Sequence, residues 1–225
     1  MIQSGKGGRV PRVYFEDDFS WVKPFVEAYN ATAAEGKKVG DTIGDKNKGA
    51  EAPNVYGDAD WQKSFQEAFK AKGYEDMLPS AKLVYLQPHY LKFSRTGGNN
   101  TSLRLPELRI TGSVNLDVAF DWAAMVQGTG DVDNTKLVVV IEGDGEFENG
   151  TKFSDVLEQK QGKDELFWTH SSVKVLEATS KTRFVIVMNR VLKTDADGKF
   201  TGEYNYGVSG AGRFFLDNIK ISKAQ

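Results

Sequence analysis

Val114, Leu116, Val118, Phe120 and Trp122 alternate with Asn115, Asp117, Ala119 and Asp121. A period of two over that length predicts a strand with one face in a core and the other toward water. Shorter apolar runs recur along the chain: Arg12 to Phe15, Leu83 to Leu86, Tyr90 to Phe93, Thr101 to Leu105, Val173 to Leu176, Arg183 to Met188 and Phe200 to Tyr206. Leu137 to Ile141 is continuously apolar and short enough for a buried strand. Gly97 to Asn100 and Asp195 to Gly198 read as turns. Together these predict roughly nine or ten short antiparallel strands.

One helix stands out. From Asp58 to Lys72, Trp61, Phe65, Ala68 and Phe69 recur at helical spacing, Asp58 or Asp60 can cap the start, and Gly73 can end it in the left-handed conformation. Trp61 then reads as a core anchor. Val22 to Tyr29 reads as a short helix or an irregular wall, and Ala31 to Pro53 as a long polar loop. The fold class expected is mainly β, an antiparallel sandwich or jelly roll with one principal helix. Residues 1–11 read as a linker and residues 12–225 as a single domain.

The last strand carries a flaw in its period. Phe214 and Leu216 share one face, whereas Ile219 and Ile221 share the other. One extra residue at Asp217-Asn218 would return all four to the core, which predicts a β-bulge there and singles out Asp217 as the side chain with chemistry.

Composition narrows the function. The 225 residues carry 29 basic and 31 acidic side chains, so there is no electrostatic reason to bind nucleic acid. No apolar run is long enough for a transmembrane helix. With no cysteine and only two histidines, thiolate sites, Ser-His-Asp triads and His-rich zinc sites have little to draw on. The chain contains no signal peptide, and the polar residues after Met1 fit a trimmed secreted protein.

Tyr90-Leu-Lys-Phe-Ser-Arg-Thr-Gly-Gly followed by Ser102-Leu-Arg-Leu-Pro-Glu-Leu108 resembles a pattern in jelly-roll domains of secreted Bacteroidetes proteins. Val114 to Trp122, Val138 to Ile141, Trp168 before Val173 to Val175, and Phe215-Leu-Asp-Asn-Ile219 fall in the same order. From about Tyr14 to Ile221 the chain is similar to the galactose-binding-like sandwich of carbohydrate-binding modules. The resemblance implies a secreted, periplasmic or cell-surface setting, an oligo- or polysaccharide partner, and neighbouring domains of a larger protein. It also implies a structural Ca2+ where first and last strands meet, with Glu16, Asp18 and Asp217 as carboxylate ligands. Ca2+ takes about six to eight oxygens, and bulge carbonyls would complete such a set. The bland alternative is that Glu16 and Asp18 cap a turn while Asp217 bonds neighbouring backbone.

Sugar rings stack their C–H faces on aromatics while polar side chains bond the hydroxyls. The candidate platform residues are Tyr204, Tyr206, Trp168, Arg95 and Asn99. The favoured reading is a non-catalytic carbohydrate-binding module or surface-protein domain. One alternative is a sandwich-fold glycoside hydrolase or lyase using Glu142 and Glu146. Those two share a strand face, but their Cα atoms would be about 13 Å apart if extended, and Gly143 and Gly145 favour a solvated loop. The other alternative is a structural spacer with no ligand.

Overall fold

A computed structural model describes residues 12–40, 53–76, 84–94, 101–127, 136–159, 166–188, 192–204 and 211–225. The proposed linker 1–11, residues 41–52 of the long polar loop, the turn 97–100, and Arg95, Asn99 and Tyr206 lie outside them. The elements in order are β1 (Val13–Asp17), α1 (Lys23–Thr32), α2 (Asp60–Ala71), β2 (Glu75–Asp76), β3 (Val84–Tyr85), β4 (Leu91–Ser94), β5 (Thr101–Arg104), β6 (Val114–Gln127), β7 (Lys136–Glu142), β8 (Glu146–Phe147), β9 (Leu157–Glu158), β10 (Thr169–Ala178), β11 (Arg183–Met188), β12 (Leu192–Thr194), β13 (Phe200–Tyr204) and β14 (Ala211–Lys223). The excess over the expected strand number comes from two-residue ladders such as β2, β8 and β9, too short to print a period on the sequence.

Among the described residues every strand pair is antiparallel. The larger sheet has seven strands in the order β3-β4-β14-β6-β10-β8, with β1 also on β14. The smaller has five in the order β2-β5-β11-β7-β9, and β12 and β13 form a hairpin. The inner faces pack as one core, with Phe93, Phe120, Trp122, Phe214 and Leu216 from the large sheet against Leu103, Leu137, Val139, Phe184 and Ile186 from the small one. Burying one such side chain is worth about 1.5–3 kcal/mol. The hairpin lays Phe200 on Phe153, with ring centroids 5.2 Å apart, over a second apolar cluster that includes Val138, Val185 and Val187 of the small sheet.

The period flaw in the last strand is a bulge. The register of β14 on β6 shifts between Asp217 and Lys220, Asn218 takes a left-handed φ of 48°, and Phe214, Leu216, Ile219 and Ile221 are all buried. Asp217 keeps its place opposite Asp121. The residue turned out of the ladder is therefore Asn218, since Asn tolerates the left-handed conformation best among side-chain-bearing residues. The bulge also divides one edge of β14. Above it, Arg213 to Leu216 pair with Ser94 to Leu91; below it, Ile219 to Ser222 pair with Asp17 to Val13.

The helix prediction holds in its body and misses its start. The residue before α2 is Ala59, and neither Asp58 nor Asp60 caps the helix. The Gln62 Oε1 accepts from the Ala59 N–H at 3.0 Å instead, turning back from the first turn. At the far end Gly73 has φ 87°, and the Tyr74 N–H returns to the Phe69 carbonyl at 3.3 Å. Phe65 and Phe69 are buried, and Trp61 packs on Tyr29 at 5.5 Å as a core anchor.

Candidate functional site

Alternation along β4 and β14 sends Leu91, Phe93, Phe214 and Leu216 inward, so Tyr90, Lys92, Phe215 and Asp217 face out. Pairing then sets these outward residues in rows. Tyr85, Lys92, Phe215 and Ala123 stand opposite one another across β3, β4, β14 and β6. One pleat further along, Asp217 faces Asp121, which faces His170 of β10. The outer face of a two-layer sandwich ordinarily meets water. Here Tyr90, Lys92, Ala123, Arg213, Phe215 and Asp217 are all buried.

Aromatic contacts form the middle of this face. Tyr90 meets Phe215 at 5.9 Å and Trp168 at 5.5 Å, both edge-on, and His89 stands at 5.4 Å from Tyr90. Trp168 precedes β10 and is held there by Gln159. The buried Gln159 amide accepts from the Ala124 N–H at 2.9 Å and donates to the Trp122 carbonyl at 3.0 Å and to Thr169 Oγ1 at 2.7 Å. Phe167, beside Trp168, is 41% exposed.

The two ends of the face differ in charge. At one end, Lys92 Nζ lies 4.9 Å from the Tyr85 ring and has no hydrogen-bond partner. Burial, then the Arg213 guanidinium, push its pKa down to about 7. The buried Gln87 Nε2 also lacks a partner. At the other end, Asp121 accepts from Asn218 Nδ2 at 2.8 Å and contacts His170 Nδ1 at 2.7 Å. Asp217 accepts from the Asn218 N–H at 2.8 Å. Its pKa is pushed up to about 6, first by burial and then by the neighbouring charges of Asp121 and Asp18, against the Asn218 N–H and His89. Burial and the Asp217 charge hold the Tyr90 phenol protonated well above its ordinary value.

Of the residues expected from sequence, Trp168 and Asp217 belong to this face. Tyr204 ends β13 opposite Leu192, on the hairpin whose Phe200 covers the small sheet, so Tyr204 and Trp168 belong to different layers. Glu16 pairs with Lys220 on the far side of the bulge. The Asp18 carboxylate accepts from the Ser20 N–H at 3.0 Å, a turn cap. Glu16, Asp18 and Asn218 help line a cleft of about 520 Å³. Among the described residues no group of three or more His, Asp or Glu side chains is placed to hold a metal ion. Beside Asp18, Asp17 is fully engaged: it accepts from the Phe19 N–H at 2.8 Å, Trp21 Nε1 at 3.1 Å and Tyr74 Oη at 2.9 Å.

Glu142 and Glu146 do not share a strand. Glu142 ends β7 in the small sheet and accepts from Arg104 Nη2 at 2.8 Å, whereas Glu146 opens β8 in the large sheet. Gly143 and Gly145, with φ of 79° and 89°, turn the chain between them. A Cβ on Gly143 would come within 2.1 Å of the Lys181 carbonyl oxygen, so the turn needs glycine. The two glutamates of the hydrolase alternative therefore belong to different sheets.

Tyr85, Gln87, Tyr90, Lys92, Asp121, Arg213 and Phe215 were not among the expected site residues. One signal was available. If Leu91 and Phe93 face the core, Tyr90 and Lys92 must share the other face. Which strands lie beside them depends on pairing, which the local sequence does not contain.

No protein-family model matches the chain, and no curated protein matches it. Solved structures resembling it include a family 22 xylan-binding domain from Paenibacillus barcinonensis, at 12% identity and TM-score 0.40, covering 97% of this chain and all of that one. A family 61 module solved with beta-1,4-galactotriose has 12% identity and TM-score 0.37, covering 69% of this chain and 94% of that one. A cleaved adhesin domain of Lys-gingipain from Porphyromonas gingivalis has 12% identity and TM-score 0.33, covering 61% of this chain and 75% of that one. The resemblance read from the sequence thus meets carbohydrate-binding modules again among solved structures, at a similarity too low to carry a ligand or a residue across.

Proposed function

We propose that the outer face of the large sheet binds a glycan and performs no chemistry on it. One observation carries this reading: a sheet face that could have been plain polar surface instead gathers Tyr90, Phe215 and Trp168 with buried charged groups and two unpaired donors, Lys92 Nζ and Gln87 Nε2. Aromatic edges and faces suit sugar C–H groups, and mixed donors and acceptors suit hydroxyls. A secreted or cell-surface setting follows from that reading. Screening the intact chain on a glycan array tests it. Binding should appear, and Trp168→Ala should abolish it while leaving the thermal midpoint within a few degrees. An array with no hits, or hits indifferent to Trp168→Ala, would reject this face.

Structural Ca2+ at Glu16, Asp18 and Asp217 is a separate proposal. Its support is that Asp18 and Asp217 lie near enough to feel each other's charge beside the bulge. Since the three do not form a ready cluster, binding would have to draw them together. A thermal midpoint unmoved by added Ca2+ or by EDTA would end that proposal.

A further inference from the structure

We propose that the ligand of this face carries an anionic group, a sugar carboxylate or a sulfate ester, received by Lys92 Nζ. The inference rests on the glycan reading and narrows it.

Lys92 is the anomaly of the sheet. Its relative exposure is 0%, yet Nζ bonds nothing. A buried ammonium ordinarily has a carboxylate beside it, because leaving the charge uncompensated is expensive. Among the described residues no carboxylate is in ion-pair contact with Lys92, and the charged group that perturbs it is Arg213, of the same sign. The Tyr85 ring at 4.9 Å offers only its π face. Gln87 follows Tyr85 by two residues, and the register that sets Tyr85 on Lys92 carries it toward Tyr90, one pleat nearer Asp217, so Lys92 Nζ is the unpaired donor in its own row. The acids Asp217 and Asp121 stand one pleat further along, where Asn218 and His170 already engage them. The face is therefore polarised. An anionic sugar would lie with its charge toward β3 and β4 and its hydroxyls toward Asp217 and Asp121. Lysine acts as a compact point charge and takes a carboxylate or a sulfate without a fixed fork geometry. Tyr85 is half-buried and is the ring that would have to turn aside to admit either.

Calorimetry on the intact chain with two matched pairs of probes tests this. One pair is a galacturonate oligomer and its methyl ester; the other is a sulfated galactan oligomer and its desulfated form. Within one pair the anionic member should bind about tenfold tighter or more, the scale of one charge-assisted hydrogen bond. Which pair discriminates names the anion. Lys92→Met should erase the discrimination and raise the thermal midpoint, so loss of binding could not be ascribed to loss of the fold. If the members of both pairs bind alike, or if Lys92→Met discriminates as the parent does, the anionic inference is wrong and the glycan reading stands. If no glycan in the array or the pairs binds at all, both fall together.

Discussion

The two faces of the large sheet are made by the same strands and obey different rules. Inward, Leu91, Phe93, Phe214, Leu216, Phe120 and Trp122 bury hydrocarbon, and the one polar atom among them, Trp122 Nε1, donates to Ser171 Oγ at 3.0 Å. Outward, one residue along each strand, the burial is as deep in places but the groups buried are Tyr90, Lys92, Arg213 and Asp217. Burial on the inner face stabilises. On the outer face it shifts protonation equilibria and leaves donors unmet. Depth alone thus does not separate core from site; the satisfaction of polar atoms does.

The two faces should respond to substitution with opposite signs. The largest effect belongs to the inner face: Leu216→Ala should cost about 2–5 kcal/mol in denaturant unfolding, from lost burial and the cavity left behind. An outer-face substitution of equal burial, Lys92→Met, should stabilise by about 1–3 kcal/mol near neutral pH, since it removes a charge that the fold leaves unpaired. The folded pKa of Lys92 lies below its unfolded value. The penalty is therefore full below pH 7 and is relieved as pH rises from about 7 toward the ordinary lysine value near 10.5, so the gain from Lys92→Met should fade over that window. Measuring both variants from pH 6 to 10 checks this, and a destabilised Lys92→Met at neutral pH would erase the contrast between the faces.

Asp217→Asn comes next. Its amide can still accept the Asn218 N–H, so about 1–2 kcal/mol of stabilisation is expected at pH 7.5. Here the folded pKa is raised: the penalty is full above pH 6, shrinks as pH falls toward the ordinary aspartate value of 3.8, and is absent below it. Thermal melts at pH 4 and pH 7.5 should therefore separate parent and variant only at the higher pH. The smallest effect is expected from Asn218→Gly, under about 1 kcal/mol. Glycine removes the cost of the left-handed conformation but also the bond to Asp121, and the two partly cancel. A loss well above that would make the Asn218–Asp121 contact a larger part of the bulge than its exposed position implies.

What the sequence disclosed follows the same division. The inner face was legible because its period is strict over Val114 to Trp122, and even the bulge could be read from a single break in that period on β14. Trp168 and Asp217, singled out from the sequence, both lie on the outer face. Their neighbours were not singled out, because Lys92 meets Phe215 and Asp217 meets Asp121 only through long-range pairing. The break between Glu142 and Glu146 was legible for a local reason: Gly143 and Gly145, read as favouring a loop, have positive φ and carry the chain from one sheet to the other. The start of α2 differs because Ala59, not an aspartate, holds the position before the helix, and Gln62 turns back to accept its N–H.

The divided edge of β14 has a consequence for the order of folding. One strand near the C-terminus joins residues 13–17, residues 91–94 and the long β6, so the seven-stranded sheet cannot close until residues 211–223 have been synthesised. The five-stranded sheet draws its strands from residues 75–188 and carries no such requirement. During translation the smaller sheet should find its partners first, with the apolar faces of β4 and β6 waiting. Closing loops of this length places the chain among slow, high-contact-order folders, and the site face, which needs β4, β14 and β6 side by side, comes into being only with that last strand.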